Sequence, residues 1–146
     1  MLHVPYKGAA PLITDLMGKQ VECAFEGMTT TAPYIKSFKL RAIAQTGSKR
    51  VKAFFNVPTV AEGGYPGFNA NIWFGMVGPA KMPAPLVARI NSDVNKVLAM
   101  PDVIARLEEF GAEDGGGTPQ RFATFIRSEQ AKWAQLIKAK NIQPEI

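Results

Sequence analysis

The sequence predicts an α/β fold in which helices flank a parallel sheet, and three observations support this prediction. Strand-like segments at residues 4–6, 21–25 and 40–44 are separated by helical or looped segments. The second half of the chain carries apolar stripes with the spacing of amphipathic helices. The 146 residues are 47% hydrophobic and 20% charged, which is typical of a globular chain that can bury a core.

The opening stretch predicts a strand, a turn and a short helix. Residue 4 precedes Pro5 and is therefore pushed into an extended conformation. Residues 7–10 turn the chain, Pro11 suits the first helical turn, and residues 12–17 carry an apolar face. A helix that begins after such a turn leaves backbone N–H groups unpaired. These donors and the helix dipole together favour an anion site.

Further strands are predicted from the apolar pattern that follows. Val21, Cys23 and Phe25 alternate with polar or small residues, which places Cys23 on the buried side of a second strand. Residues 40–44 predict a third strand, and residues 71–77 predict a buried strand rich in aromatic side chains.

The helix boundaries are marked by residues that cap or begin helices. Gly18 stands where a left-handed cap would end the first helix. Thr59 precedes Glu62 by three residues, the spacing of a capping box, and predicts a single helical turn. Three later helices are predicted to begin at Pro85, at Pro101 and at Thr118-Pro119.

The charge distribution argues against nucleic-acid binding. The net charge is +5, but the only basic cluster is Lys49, Arg50 and Lys52, and the other bases are scattered. Scattered bases indicate a solvated surface, which also suits the capture of anionic solutes. No apolar run approaches the roughly 18 residues of a membrane span.

The residues that could support catalysis or metal binding are too few. One His and one Cys cannot build a zinc site. His3 has no evident orienting partner, and Ser48 and Ser92 lie outside any Gly-x-Ser-x-Gly turn. Adjacent acids on a helix do not face each other, so the acidic pairs predict solvated surface. We therefore expect no catalytic residues, no metal and no cofactor.

Several motifs follow one another in a fixed order. H-V-P-Y-K-G at residues 3–8 precedes P-L-I-T-D-L at 11–16, then G-K-Q-V and F-E. The later motifs are L-R-A-I-A, V-P-T-V-A-E-G-G, W-F-G, G-P-A and a helical tail over residues 122–133. This series resembles the tripartite tricarboxylate transporter receptors, periplasmic solute-binding proteins also called the Bordetella uptake family. The resemblance covers nearly the whole chain and matches the C-terminal half of receptors about twice as long.

The resemblance implies a partial periplasmic-binding-protein type 2 fold. Residues 1–70 would belong to the second, ligand-facing lobe, and residues 71–146 would return to complete the first. Such receptors capture a small carboxylate and present it to the membrane permease of a tripartite tricarboxylate-type transporter. The implied location is periplasmic, although the start of this chain does not look like a signal peptide.

The resemblance also places the binding residues on two loops. Tyr6, Gly8, Ala9 and Ala10 would form an anion-facing turn, and the facing loop would contribute Glu26, Gly27 and Thr29. In the alternative interpretation, Tyr6 packs on the helix and Gly8 only turns the chain. The Glu26 carboxylate would repel an anion unless it points away or binds through a cation or an ammonium group.

Two rival interpretations remain open. The chain could be a truncated fragment without a transport role, whose exposed strand edges are covered by homodimerisation. It could also be a small cytoplasmic α/β enzyme, which the absence of a catalytic constellation disfavours.

Overall fold

The computed structural model describes residues 2–113 and 115–143, and its regular elements are helical. These elements are α1 (Ala9–Met17), α2 (Met28–Lys36), a 3-10 turn (Lys52–Phe54), α3 (Ala84–Leu98), α4 (Pro101–Glu109) and α5 (Pro119–Lys140). Within the described residues no β-strand forms, and the only strand-like pairing is an isolated parallel bridge between Gln45 and Thr59.

The predicted parallel sheet is therefore wrong for the part of the chain that the structure describes. The four predicted strands have no regular secondary structure, and several of their apolar side chains lie in solvent: Phe25 is 82% exposed and Ile43 71%. Cys23 is exposed as well, which corrects its predicted burial. An alternating pattern indicates which side of a strand would be buried. It does not supply the neighbouring strand whose backbone the ladder requires.

The predicted helix boundaries agree with the structure better than the predicted strands do. The helices α4 and α5 begin at the predicted Pro101 and Pro119, and α3 begins at Ala84, one residue before the predicted Pro85. The Thr118 side chain accepts a hydrogen bond of 3.2 Å from the Arg121 amide. The predicted left-handed cap at Gly18 is wrong, because Gly18 has φ −77° and Lys19 instead adopts φ 58°. The left-handed residue therefore lies one position after the glycine.

A buried glutamine organises the loop before the 3-10 turn. Gln45 is 5% exposed, and its side-chain amide donates hydrogen bonds of 2.8 Å to the carbonyls of Phe54 and Val57. Its side-chain oxygen accepts a bond of 3.0 Å from the Val51 amide. One side chain therefore pairs the Val57 carbonyl and the Val51 amide, which have no other partner among the described residues. It adds a second hydrogen bond to the Phe54 carbonyl, which also accepts one of 2.9 Å from the Val57 amide.

The capping box predicted at Thr59 and Glu62 is confirmed. The Thr59 amide donates to the Glu62 carboxylate at 2.6 Å, and the Glu62 amide donates to the Thr59 hydroxyl at 3.2 Å. Arg50 Nε lies 2.9 and 3.1 Å from the two Glu62 carboxylate oxygens. The bond from Arg50, followed by the bond from the Thr59 amide, lowers the pKa of Glu62 to about 2.

The chain divides into two compact units. The first comprises the described residues of Met1–Val77 and Pro101–Asp114, and the second those of Gly78–Met100 and Gly115–Ile146. In the first unit, α4 packs against the 3-10 turn. In the second, Asn95 of α3 accepts a hydrogen bond of 2.7 Å from the Gly117 amide and donates one of 2.9 Å to its carbonyl. The assignment of residues 1–70 and 71–146 to two lobes of a larger fold stays a prediction.

Candidate functional site

The first candidate turn runs from Tyr6 into α1 and presents unpaired backbone donors. Gly8 is the N-cap residue with φ 109° and ψ 174°, no side chain caps the helix, and its first turn contains no acid. Among the described residues, none accepts a hydrogen bond from the amides of Gly8, Ala9 or Ala10. A Cβ added at Gly8 would meet no atom within 4 Å. The three donors therefore lie at the positive end of the helix dipole without an acceptor among the described residues.

The Tyr6 side chain is turned toward α1. Its phenol donates a hydrogen bond of 2.8 Å to Oδ2 of Asp15, and this bond, followed by partial burial, raises the pKa of Tyr6. The phenol proton is thus held by the protein's own carboxylate. This geometry matches the alternative in which Tyr6 packs on the helix and positions the turn. Asp15 was not among the predicted site residues, although it is the Asp of the P-L-I-T-D-L motif.

The second candidate loop leads into α2 through Gly27. The Gly27 amide donates a hydrogen bond of 2.7 Å to Oε1 of Glu26, so the carboxylate folds back onto the start of the helix. The Gly27 carbonyl accepts a bond of 3.1 Å from the Thr31 hydroxyl, while Thr29 is exposed. The Glu26 carboxylate therefore occupies a place where the helix dipole favours an anion.

The two turns belong to the same compact unit, but no hydrogen bond of the described residues joins them. Tyr6 contacts Asp15, and Glu26 contacts Gly27, each within its own helix start. A Cβ placed on Gly27 would lie 3.4 Å from Cδ1 of Ile72, so the later apolar segment passes beside the second turn. The structure thus shows two separate helix starts in place of one hydrogen-bonded cluster.

An open depression of about 860 Å³ lies elsewhere in the first unit, and none of the seven predicted residues lines it. Arg50 in its wall is paired with Glu62, and Lys49 lies 3.1 Å from Glu113. Because both cations are already neutralised, this depression is a weaker candidate for an anion than the α1 start.

The described residues contain neither a candidate metal site nor a candidate membrane-spanning helix. They contain no group of three or more His, Cys, Asp or Glu side chains that could hold a metal ion. In the same described ranges, none of the helices combines the length and apolar character needed to cross a bilayer.

Comparison with known proteins shows the family to which the chain belongs. The family model described as "Tripartite tricarboxylate transporter family receptor" matches residues 1–142. The UPF0065 protein in the tcbD-tcbE intergenic region of Pseudomonas sp. (strain P51) is 36% identical over 138 residues, which are 94% of this chain and 41% of that relative.

Two solved structures share the fold. The structure of Rpa4515 from R. palustris with adipate has a TM-score of 0.90 and 33% identity over 97% of this chain and 48% of its own. The periplasmic binding protein BugD has a TM-score of 0.82 and 34% identity over the same shares. The chain thus spans less than half the length of these relatives, and it belongs to the tripartite tricarboxylate transporter receptor family.

Proposed function

We propose that this chain forms part of an extracytoplasmic receptor that captures a small carboxylate at the start of α1. The observation that carries the proposal is the set of amides at Gly8, Ala9 and Ala10, which have no acceptor among the described residues. Pro11 has no N–H, so these three groups are the donors of the turn. A carboxylate placed there would accept hydrogen bonds and face the positive end of the helix dipole.

A dicarboxylate is the ligand class that the comparisons favour. The related Rpa4515 was solved with adipate, and its chain matches this one over nearly all of the present length. One carboxylate would bind the α1 start. The second would meet the α2 start if the Glu26 side chain released the Gly27 amide, or it would bind through water. Glu26, Gly27 and Thr29 thus form the second half of the proposed site.

Membership of the family supports a proposal about the partner and the location. A receptor of this kind would deliver its solute to the permease of a tripartite tricarboxylate-type transporter, on the periplasmic side of the membrane. No cofactor is needed, since backbone donors and a helix dipole suffice to hold a carboxylate. The family model describes receptors and BugD is a periplasmic binding protein, which favours this role over that of a small enzyme.

The affinity of this chain alone should be low. An exposed helix-dipole interaction contributes roughly 0.3–1 kcal/mol, and a charge-assisted hydrogen bond about 1.5–3 kcal/mol. Two or three such contacts must offset several kcal/mol of lost ligand freedom. We expect a dissociation constant on the order of 1 mM for adipate or citrate. Micromolar binding would show that the site is complete in this chain.

Substitution of Gly8 by Ala tests the proposal by calorimetry with adipate. Alanine at φ 109° strains the turn that aligns the donors, and we expect a loss of binding of roughly tenfold or more. Gly64→Ala is the matched control, because Gly64 has φ 106°, a Cβ added there would also meet no atom within 4 Å, and the residue lies outside both turns. Equal affinities of the two variants would overturn the proposal.

A further inference from the structure

A glycine turn ends α4 and packs against the start of α2 in the same compact unit. The Gly111 amide donates a hydrogen bond of 3.0 Å to the Glu108 carbonyl. The Ala112 amide donates one of 2.9 Å to the Leu107 carbonyl. These two bonds, with Gly111 at φ 67°, end the helix in a Schellman motif. We call residues 108–112 the α4 turn.

The missing side chain of Gly111 allows the α4 turn to approach α2 closely. A Cβ added at Gly111 would lie 2.8 Å from Cγ of Met28, the first residue of α2. It would also lie 3.4 Å from the side chains of Val51 and Phe54, and Phe54 is buried. An added methyl group would therefore have to rotate the Met28 side chain or separate the α4 turn from the start of α2.

Two lysines also connect this part of the unit to the α4 turn. Lys36, the last residue of α2, donates a hydrogen bond of 2.8 Å from Nζ to the Glu109 carbonyl. Lys52 Nζ pairs with the Glu108 carboxylate. Exposed ion pairs contribute little on their own, so the close packing at Gly111 is the main contact. The α4 turn thus holds α2 at its first and its last residue.

The start of α2 carries free backbone donors. The amides of Met28 and Thr29 have no acceptor among the described residues, whereas the preceding Gly27 amide is bonded to Glu26. Because these donors belong to the first turn of α2, the contacts that fix this end of the helix also fix where the donors point.

We infer that Gly111 is a positioning residue for the α2 half of the proposed carboxylate site. Its lack of a side chain lets the α4 turn hold the Met28 and Thr29 amides where a second carboxylate group can reach them. The inference rests on the proposed function and goes beyond it, because Gly111 is not among the residues that would contact the ligand. The α1 half is tied by the bond from Tyr6 to Asp15 instead, so the two halves should respond differently to a change at Gly111.

NMR titration of the 146-residue chain with adipate and with hexanoate, a monocarboxylate of the same length, tests this difference. Adipate should shift the amide signals of both Ala9 and Thr29, and we expect it to bind about fivefold more tightly than hexanoate. Gly111→Ala should reduce this preference to roughly twofold or less and weaken the Thr29 shift, while the Ala9 shift and the affinity for hexanoate persist. Gly67→Ala is the matched control, because Gly67 has φ 81° in the same unit and a Cβ added there would meet no atom within 4 Å.

A surface variant provides the test if Gly111→Ala does not fold. Lys36→Met removes the bond to the Glu109 carbonyl and should lower the preference for adipate about twofold. Lys39→Met, which removes an exposed charge shortly after α2, should leave the preference unchanged. An unchanged preference in folded Gly111→Ala, or in Lys36→Met, would overturn the inference, and so would equal losses of affinity for adipate and hexanoate.

The wild type separates failure of this inference from failure of the proposed function. Adipate that shifts the Ala9 signal but not the Thr29 signal would overturn the inference alone. Absence of any Ala9 shift would overturn the proposed function, and the inference with it.

Discussion

The phenol of Tyr6 and the carboxylate of Asp15 are joined by a hydrogen bond of 2.8 Å that ties the first turn to the body of α1. The bond spans nine residues and bridges the segment in which Gly8, Ala9 and Ala10 present their amides. This one contact gives a role to both the tyrosine of the H-V-P-Y-K-G motif and the aspartate of the P-L-I-T-D-L motif. Tyr6 is thereby a positioning residue for the proposed anion site.

Asp15→Asn should lower the pKa of Tyr6 toward its usual value of 10.0, because the hydrogen bond from the phenol to the carboxylate is the main cause of its elevation. A raised pKa stabilises the fold below pH 10, and that contribution is lost as the pH rises through the pKa of the folded state. Absorbance titration of the phenolate measures the change. In a Tyr6→Phe background, Asp15→Asn should leave the titration curve unaltered; an equal change in that background would refute the assignment.

The pH dependence of stability in acid should depend on Glu62. Its pKa is about 2 in the folded chain against the usual 4.5, so its contribution is present above pH 4.5 and lost as the pH falls toward 2. Urea unfolding of the wild type and of Glu62→Gln between pH 2 and 6 should show a shallower pH dependence for the variant. Arg50→Gln should remove part of the same dependence, because the Arg50 bond is the first cause of the shift. Identical slopes in all three proteins would contradict the ion pair.

Replacement of Gln45 by Ala should be strongly destabilising. The substitution leaves the Val57 carbonyl and the Val51 amide without partners in a site where the native side chain is 5% exposed. It also removes one of the two hydrogen bonds that the Phe54 carbonyl accepts. Each buried unsatisfied group costs about 1–3 kcal/mol, and partial hydration reduces the sum, so we expect a loss of about 3 kcal/mol. Gln20→Ala is the control, because the exposed Gln20 amide makes a single bond of 3.2 Å to the Gly18 carbonyl. Losses of the same size in both variants would argue against the role of Gln45.

Asn95→Ala should detach the three consecutive glycines at residues 115–117 from α3. Asn95 contacts both backbone groups of Gly117, whereas Asn91 donates only one bond, of 2.9 Å, to its carbonyl. We expect a loss of about 1–2 kcal/mol for Asn95→Ala and a smaller loss for Asn91→Ala. Hydrogen exchange of the Gly117 amide should accelerate in the first variant and change little in the second. The reverse order would show that the Asn91 bond anchors these glycines.

The two helix starts differ in how readily they could be foreseen. The glycine turn at Gly8 and the missing N–H of Pro11 are local features, so unpaired amides before α1 could be predicted from residue types alone. The return of the Glu26 carboxylate onto the Gly27 amide depends on a side-chain rotamer and on partial burial. No periodicity or spacing encodes that choice.

Residue types and their spacing were enough to predict the starts of the later helices to within one residue, the capping box at Thr59 and Glu62, and the family. Each of these depends on residues a few positions apart or on an ordered series of motifs. Other features depend on contacts between residues far apart in the chain or on a neighbouring backbone. Tertiary structure placed the buried amide of Gln45 among three backbone groups and the phenol of Tyr6 on Asp15. It also left Phe25, Ile43 and Phe74 in solvent, because an alternating pattern becomes a strand only where a second backbone lies alongside to complete its hydrogen bonds.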